Sequence, residues 1–155
     1  MNANDITFRT MPNLSLSIQF ATKLTNLPSR YQLRKWVKAT IRVNTQATIR
    51  IVDETEGRYL NKTYRGKDYA TNVLTFPITD EPDLMGDIII CAPVVFKEAA
   101  EQNKSIEAHF AHLTVHGTLH LHGYDHQTEE QAGLMETIEV TTLLNLGYPN
   151  PYLIT

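Results

Sequence analysis

"SIEAHFAHLTVHGTLHLHGYDH", Ser105 to His126, holds all six histidines of the chain within its last 18 residues and sets them on the spacing of a single long helix. Ile106, Phe110, Leu113 and Gly117 recur at three- and four-residue steps and form an apolar stripe. At about 100° per residue, His109, His112, His116 and His120 fall within an arc of roughly 80° beside that stripe. They form one ridge at the edge of a core. Ser105 is an N-cap candidate with Glu107 in the first turn, and Gly123 supplies the stop. The helix is therefore expected to run from Ser105 to about Leu121.

Reading outward, two more helices are expected around it, from Pro93 to about Glu101 and from Thr128 to about Leu146. Thr128 and Gln131 have the pattern of a capping box, and Gly147 with Pro149 closes the last helix. Earlier in the chain, "LSLSIQF" (Leu14 to Phe20) and "ATIRIVD" (Ala47 to Asp53) alternate as half-buried strands do. "NVLTFP" (Asn72 to Pro77) and "GDIIICAP" (Gly86 to Pro93) are β-branched or aromatic runs bounded by turn residues. Between the early strands, "PSRYQLRKWVKATIRV" places Leu33, Trp36, Val37 and Ile41 at helical spacing, and "DETEGRYLNKTYR" opens with acids suited to a helix N-terminus. The expected fold class is mixed α/β: a small sheet of about four strands packed by about five helices, with the histidines on a central helix. No linker or repeat interrupts the chain, so residues 1–155 are expected to form a single domain.

Composition narrows the function. With 42% apolar and 20% charged residues and no apolar run near the roughly 18 that span a bilayer, the sequence is that of a soluble protein with no membrane segment. "MNANDITFRTMPNLSLSIQF" does not have the layout of a secretory leader, and one cysteine, Cys91, cannot form an internal disulfide; the expected location is cytoplasmic. Cys91 is expected to be a small buried hydrophobe. The net charge of -3 argues against a generic polyanion binder. Yet residues 1–67 carry 12 Lys or Arg against 4 Asp or Glu, and residues 68–155 carry 2 against 13. That polarity fits nucleic-acid contact, and equally two halves that interleave in space and neutralise each other.

Two histidines at i and i+4 point the same way one turn apart, which suits joint ligation of a metal by His116 and His120. If Gly123 turns the chain back, His126 becomes the third ligand, giving His-x3-His-x2-Gly-x2-His. This is the ligand spacing of the metzincin proteases, with Gly117 in place of their general-base glutamate. Three neutral imidazoles leave the fourth position of a tetrahedral zinc open to water, which is the mark of a catalytic site. His109 and His112 either orient the ligands or are ordinary structural histidines. His122 is expected to face away, and Asp125 either bonds a ligand imidazole or shapes the turn.

"HGTLHLHGYDH" (His116 to His126) resembles the HGxLHLxGYDH signature of the YbeY family of bacterial endoribonucleases. "YRGKDYATNVLTFP" (Tyr64 to Pro77), "GDIIIC" (Gly86 to Cys91) and the closing "LGYPNPY" resemble the family's other segments in the same order, so the likeness covers nearly the whole chain. The departures fall at variable positions such as His122. The resemblance implies a single-strand-specific, zinc-dependent endoribonuclease with one zinc per chain. It also implies 16S ribosomal RNA 3′-end maturation and late-stage ribosome quality control, with the small ribosomal subunit and its assembly factors as partners. His116, His120 and His126 fall on the family's zinc ligands and Arg65 on the arginine needed for activity, which makes Arg65 and His116 the candidate catalytic residues.

Chemistry gives Arg65 a task of its own, since a guanidinium fork can meet two oxygens of a phosphodiester as charge gathers there. The competing reading is a solvated surface arginine. Arg58, Lys62 and Arg65 share one helical face, and Arg30, Arg34, Lys38 and Arg42 form a second basic stripe; each is either a track for an RNA backbone or a plain solvated face. Two further functions stay open: a non-catalytic ribosome-assembly factor with a structural zinc, and a metalloprotease, which Gly117 argues against.

Overall fold

A computed structural model describes residues 11–153, so half of the N-terminal stretch read above, residues 1–10, lies outside the described residues. The elements follow the chain as β1 (Leu14–Ala21), α1 (Arg30–Thr40), β2 (Thr45–Val52), α2 (Glu54–Arg65), β3 (Val73–Thr79), β4 (Leu84–Cys91), α3 (Ala92–Glu101), α4 (Ile106–Leu121) and α5 (Glu129–Asn145). Four strands and five helices of mixed α/β type agree with the expectation. Strand order is β1-β2-β4-β3, with β1 parallel to β2, β2 parallel to β4, and β3 antiparallel to β4.

The composition of each strand follows from its place in this order. β1 and β3 are the edges. β1 alternates because only one face is covered, with Leu14, Leu16 and Ile18 packed on the main core. The unbroken "IIIC" of β4 arises because that strand is buried on both faces. Ile88 and Ile90 enter the main core with α1, α4 and α5, while Ile89 and Cys91 enter a smaller cluster on the opposite face with Val52 and Leu74, covered by Leu60 of α2. Each large apolar side chain so buried contributes about 1.5–3 kcal/mol. Cys91 is a free, buried thiol pushed up by burial, as its apolar surroundings predict.

Capping is partly as expected. Ser105 accepts from the Ala108 N–H at 3.0 Å, and Thr128 accepts from the Gln131 N–H at 3.1 Å. The complete capping box, however, forms at Ser29 and Gln32 of α1, where the side chain of each residue accepts from the other's N–H. It precedes Leu33 and Trp36, the first core residues of that helix.

The basic stripe of α1 is largely spent on the sheet. Arg30 Nη1 donates to the Ile18 carbonyl at 2.9 Å with its guanidinium over the Phe20 ring, Arg34 reaches the Leu14 carbonyl at 3.5 Å, and Lys38 donates to the Pro12 carbonyl. Asn13 turns its carbonyl toward β2, so Leu14 and Ile18 point theirs outward from the open edge. The stripe thus caps an edge strand. The two halves of the chain also interleave: β2 of the basic half pairs with β4 of the acidic half, and Arg58 pairs with Asp68 at 2.7 Å.

Helix α4 lies against β3 and β4 at Gly117. A Cβ built there would sit 3.1 Å from Ile88 Cγ2 and 3.4 Å from Thr75 and Val73 Cγ2. The glycine therefore serves close approach of helix to sheet, and its side-chain direction is occupied. Gly117→Glu should lower stability by more than about 2 kcal/mol through overpacking and a buried charge. An unchanged urea midpoint would show that the sheet yields at this point.

Candidate metal centre

The histidine ridge exists as drawn from the sequence. Successive rings of α4 stand 6.1 Å (His109 to His112), 6.1 Å (His112 to His116) and 4.6 Å (His116 to His120) apart between centroids. The helix ends in a Schellman pattern: Gly123, at φ 91°, donates its N–H to the His120 carbonyl at 3.0 Å, and Tyr124 donates to Leu119 at 3.1 Å. The left-handed residue reverses the chain, and the Asp125 side chain accepts from the His126 N–H at 2.7 Å. Asp125 therefore shapes the turn. His126 arrives 5.2 Å from His120 and 6.0 Å from His116, between ring centroids, and the ligating atoms of the three lie within 4.8 Å of one another.

The lining of this group was not visible in the sequence. Glu139 of α5, only 1% exposed, accepts from His116 Nδ1 at 2.7 Å, from His112 Nε2 at 2.9 Å and from the Tyr152 hydroxyl at 2.6 Å. Burial pushes its carboxyl up, but the hydrogen bonds from His112 and His116 more than reverse this and bring it to about 2. It is an ionised acceptor, so His116 donates from Nδ1 and turns Nε2 toward His120. That Nε2 stands 3.1 Å from His120 Nε2. Only a shared proton or a shared cation reconciles two imidazole nitrogens at this distance, and ligands about 2.0–2.1 Å from a tetrahedral zinc lie about 3.3 Å from each other. The donor set fits such an ion. His112, His116 and Glu139 also lie close enough for a metal, but those atoms are already bonded to one another.

The remaining histidines sort themselves. His112 shares Glu139 with His116. His109 is buried and bonded to Glu98 of α3 at 2.9 Å, which in turn accepts from Asn72. His122 turns away, accepting from the Arg42 N–H and bonded to the Thr118 carbonyl. Burial holds His120 below the ordinary histidine value, and the neighbouring His116 and His126 add to the effect.

Arg65 closes α2 and is exposed; among the described residues no hydrogen bond or ion pair joins it to the histidines. Its neighbour Tyr64 stacks edge-on against Phe76 of β3 at 5.3 Å. Val73 and Thr75 of the same strand lie under Gly117, so α2 and the histidine helix flank edge strand β3 from opposite faces. On the shared face of α2, Arg58 and Lys62 are both held by Asp68, at 2.7 Å and 3.9 Å.

Glu139 and Glu98 were missed, although one signal existed for the first. Met135, Glu139, Thr142 and Leu143 share the buried side of α5, so a carboxylate occupies a core position of an amphipathic helix.

This fold and this three-histidine, carboxylate-backed group define a mixed α/β protein with a candidate metal centre, and similarity to known proteins specifies which kind. A family model described as Endoribonuclease YbeY matches residues 17–147. The chain is 63% identical over 142 residues to the Endoribonuclease YbeY of Methylobacillus flagellatus, covering 92% of this chain and 95% of that protein. It is 51% identical to that of Nitrosomonas eutropha, covering 90% and 99%. A solution structure of a Thermotoga maritima protein superposes with a TM-score of 0.58 at 29% identity, covering 85% of this chain and 91% of that one. The chain belongs to the YbeY family, and its enzymatic class is accordingly endoribonuclease.

The ridge has one consequence for acid stability. Burial holds His109 below its ordinary 6.5, only partly offset by Glu98. The unfolded chain therefore takes up this proton first, so the contribution of neutral His109 is complete above pH 6.5 and lost as pH falls below it, by at most about 1.4 kcal/mol per unit. His109→Gln should flatten the stability profile below that pH. Equal slopes for variant and wild type would refute the assignment.

Proposed function

We propose that this chain is a zinc-dependent endoribonuclease specific for single-stranded RNA, using one zinc held by His116, His120 and His126 and the guanidinium of Arg65. The observation that carries this reading is the approach of His116 and His120 through facing Nε2 atoms at 3.1 Å, with His126 brought round to the same point, in a member of an endoribonuclease family. When bound, a zinc ion supplies Lewis acidity, polarising a phosphoryl oxygen and making water more acidic.

The chain's own residues perform the remaining work. Glu139 keeps His116 in one tautomer and one ring orientation, so a ligand nitrogen is presented without rearrangement. His126, the most exposed of the three, is the one nearest to solvent and so to an incoming strand. Arg65 meets two non-bridging oxygens of the phosphodiester and holds the charge that gathers on them as water adds and a P–O bond breaks. Because α2 and the histidine helix lie on opposite faces of β3, a backbone engaging both groups has to bend around that edge, which a flexible single strand can do and a stiff duplex cannot. Its substrate is the 3′ end of 16S ribosomal RNA, and its setting is the cytoplasmic small ribosomal subunit with its assembly factors, in maturation and late-stage quality control. One domain, residues 1–155, does this.

A purely structural zinc is disfavoured because α4 is already packed between the sheet and its neighbouring helices, and because His126 has a side chain 60% exposed. Proteolysis is disfavoured because the side-chain direction of Gly117 is filled by Ile88, Thr75 and Val73.

The test combines metal analysis with cleavage of a defined single-stranded 16S 3′ fragment and its duplex. His120→Ala should lose bound zinc and cleavage together. Arg65→Ala should keep wild-type zinc content and lose about 10²-fold in cleavage rate. An Arg65→Ala protein cutting at the wild-type rate, or a duplex cut as fast as the single strand, would overturn the corresponding part of the assignment.

A further inference from the structure

Residues 147–153 form a strap that follows α5 and returns to the histidine ridge. Its course is set by three attachments. Tyr148 donates its N–H to the Leu143 carbonyl at 2.9 Å and accepts from Trp36 Nε1 at 3.2 Å, with the two rings in an edge contact at 5.9 Å. Lys104 Nζ donates to the Pro151 carbonyl at 2.7 Å. The Asn150 side chain accepts from the Tyr152 N–H at 2.9 Å, bending the chain so that the Tyr152 hydroxyl meets Glu139 Oε2 at 2.6 Å and its ring stands edge-on to His112 at 5.4 Å.

The two oxygens of Glu139 are thus fully divided. Oε1 takes His116, and Oε2 takes His112 and Tyr152. A carboxylate with one free oxygen can rotate toward other donors, whereas one bonded at both ends holds its plane, and with it the imidazole it orients. Hydrogen-bonded partners of this kind change metal affinity by about 10–100-fold when removed.

We infer that Glu139 and Tyr152 are positioning residues for metal capture, the strap locking the Glu139 carboxylate in the plane that aims His116 Nε2 at the site shared with His120 and His126. Neither residue touches the ion or the RNA. Both act through the His116 ring, and the inference rests on the zinc reading proposed above.

Zinc dissociation constants of the metal-stripped full-length chain, obtained by competition with a chromogenic chelator, test this directly. Thermal unfolding of each metal-free protein, recorded in parallel, identifies any loss of fold. Tyr152→Phe keeps the ring and its cover over Glu139 and removes only the hydroxyl; it should weaken zinc binding about tenfold at an unchanged apo melting temperature. Glu139→Gln should weaken binding further, within 10–100-fold, and in that background Tyr152→Phe should add nothing, the signature of action through Glu139. If Glu139→Gln does not fold, the affinity of Tyr152→Phe alone decides. Equal zinc affinity of Tyr152→Phe and wild type overturns the inference and leaves the zinc reading standing. A wild-type chain that takes up no zinc overturns both.

Discussion

The close approach of α4 to β3 and β4 is the constraint on which the rest of the structure depends. Gly117 meets Ile88, Thr75 and Val73, and a Cβ on Gly86 would lie 2.5 Å from Leu121 Cδ2, so side chains of the sheet rest on the helix backbone and a side chain of the helix rests on the sheet backbone. A helix set this deep is surrounded. Phe110, Ala111, Leu113, Val115 and Leu119 are all buried, and one strip is left for polar side chains. The histidines occupy that strip because it is where α4 faces α3, α5 and the strap, which can supply acceptors.

Those acceptors explain how so many imidazoles stand side by side. Neutral rings bury at modest cost if each polar nitrogen finds a partner. Glu98 serves Nε2 of His109, and Glu139 serves Nε2 of His112 and Nδ1 of His116, while Nδ1 of His109 and of His112 is buried without a hydrogen-bond partner among the described residues. The carboxylates sit on one side of the ridge while the facing nitrogens of His116 and His120 are left on the other. The bonds that anchor these imidazoles inside the core therefore also set how His116 faces His120 at its rim.

Much of this was legible in the sequence because it rests on local rules. Strand alternation, the Ser105 cap, the Gly123 stop and the four-residue step from His116 to His120 are short-range patterns, and each appears where the spacing places it. Patterns that need a third dimension were not legible. Glu139 lies 23 residues beyond His116 in a helix whose periodicity says only that one side is buried. The basic stripe of α1 looked like a solvated face or a track for RNA, and its use was decided by the outward-pointing carbonyls of β1, which depend on strand order. Arg65 stood out only through resemblance, since an exposed arginine at a helix end has no local signature.

The clasp of Arg30, Arg34 and Lys38 over β1 also governs how this sheet can grow. Their side chains occupy the outward carbonyls of Leu14 and Ile18 in β1 and that of Pro12 just before it, so edge-to-edge pairing of another chain with β1 is obstructed. Among the described strands that leaves β3 as the open edge, the one bordered by the histidine helix on one face and by α2 on the other. Any second copy or extended peptide that joined the sheet by strand addition would dock there, beside the histidine helix. A sheet obstructed at one edge can take an added strand only at the other, so strand addition would end at a pair of chains and not continue into a polymer.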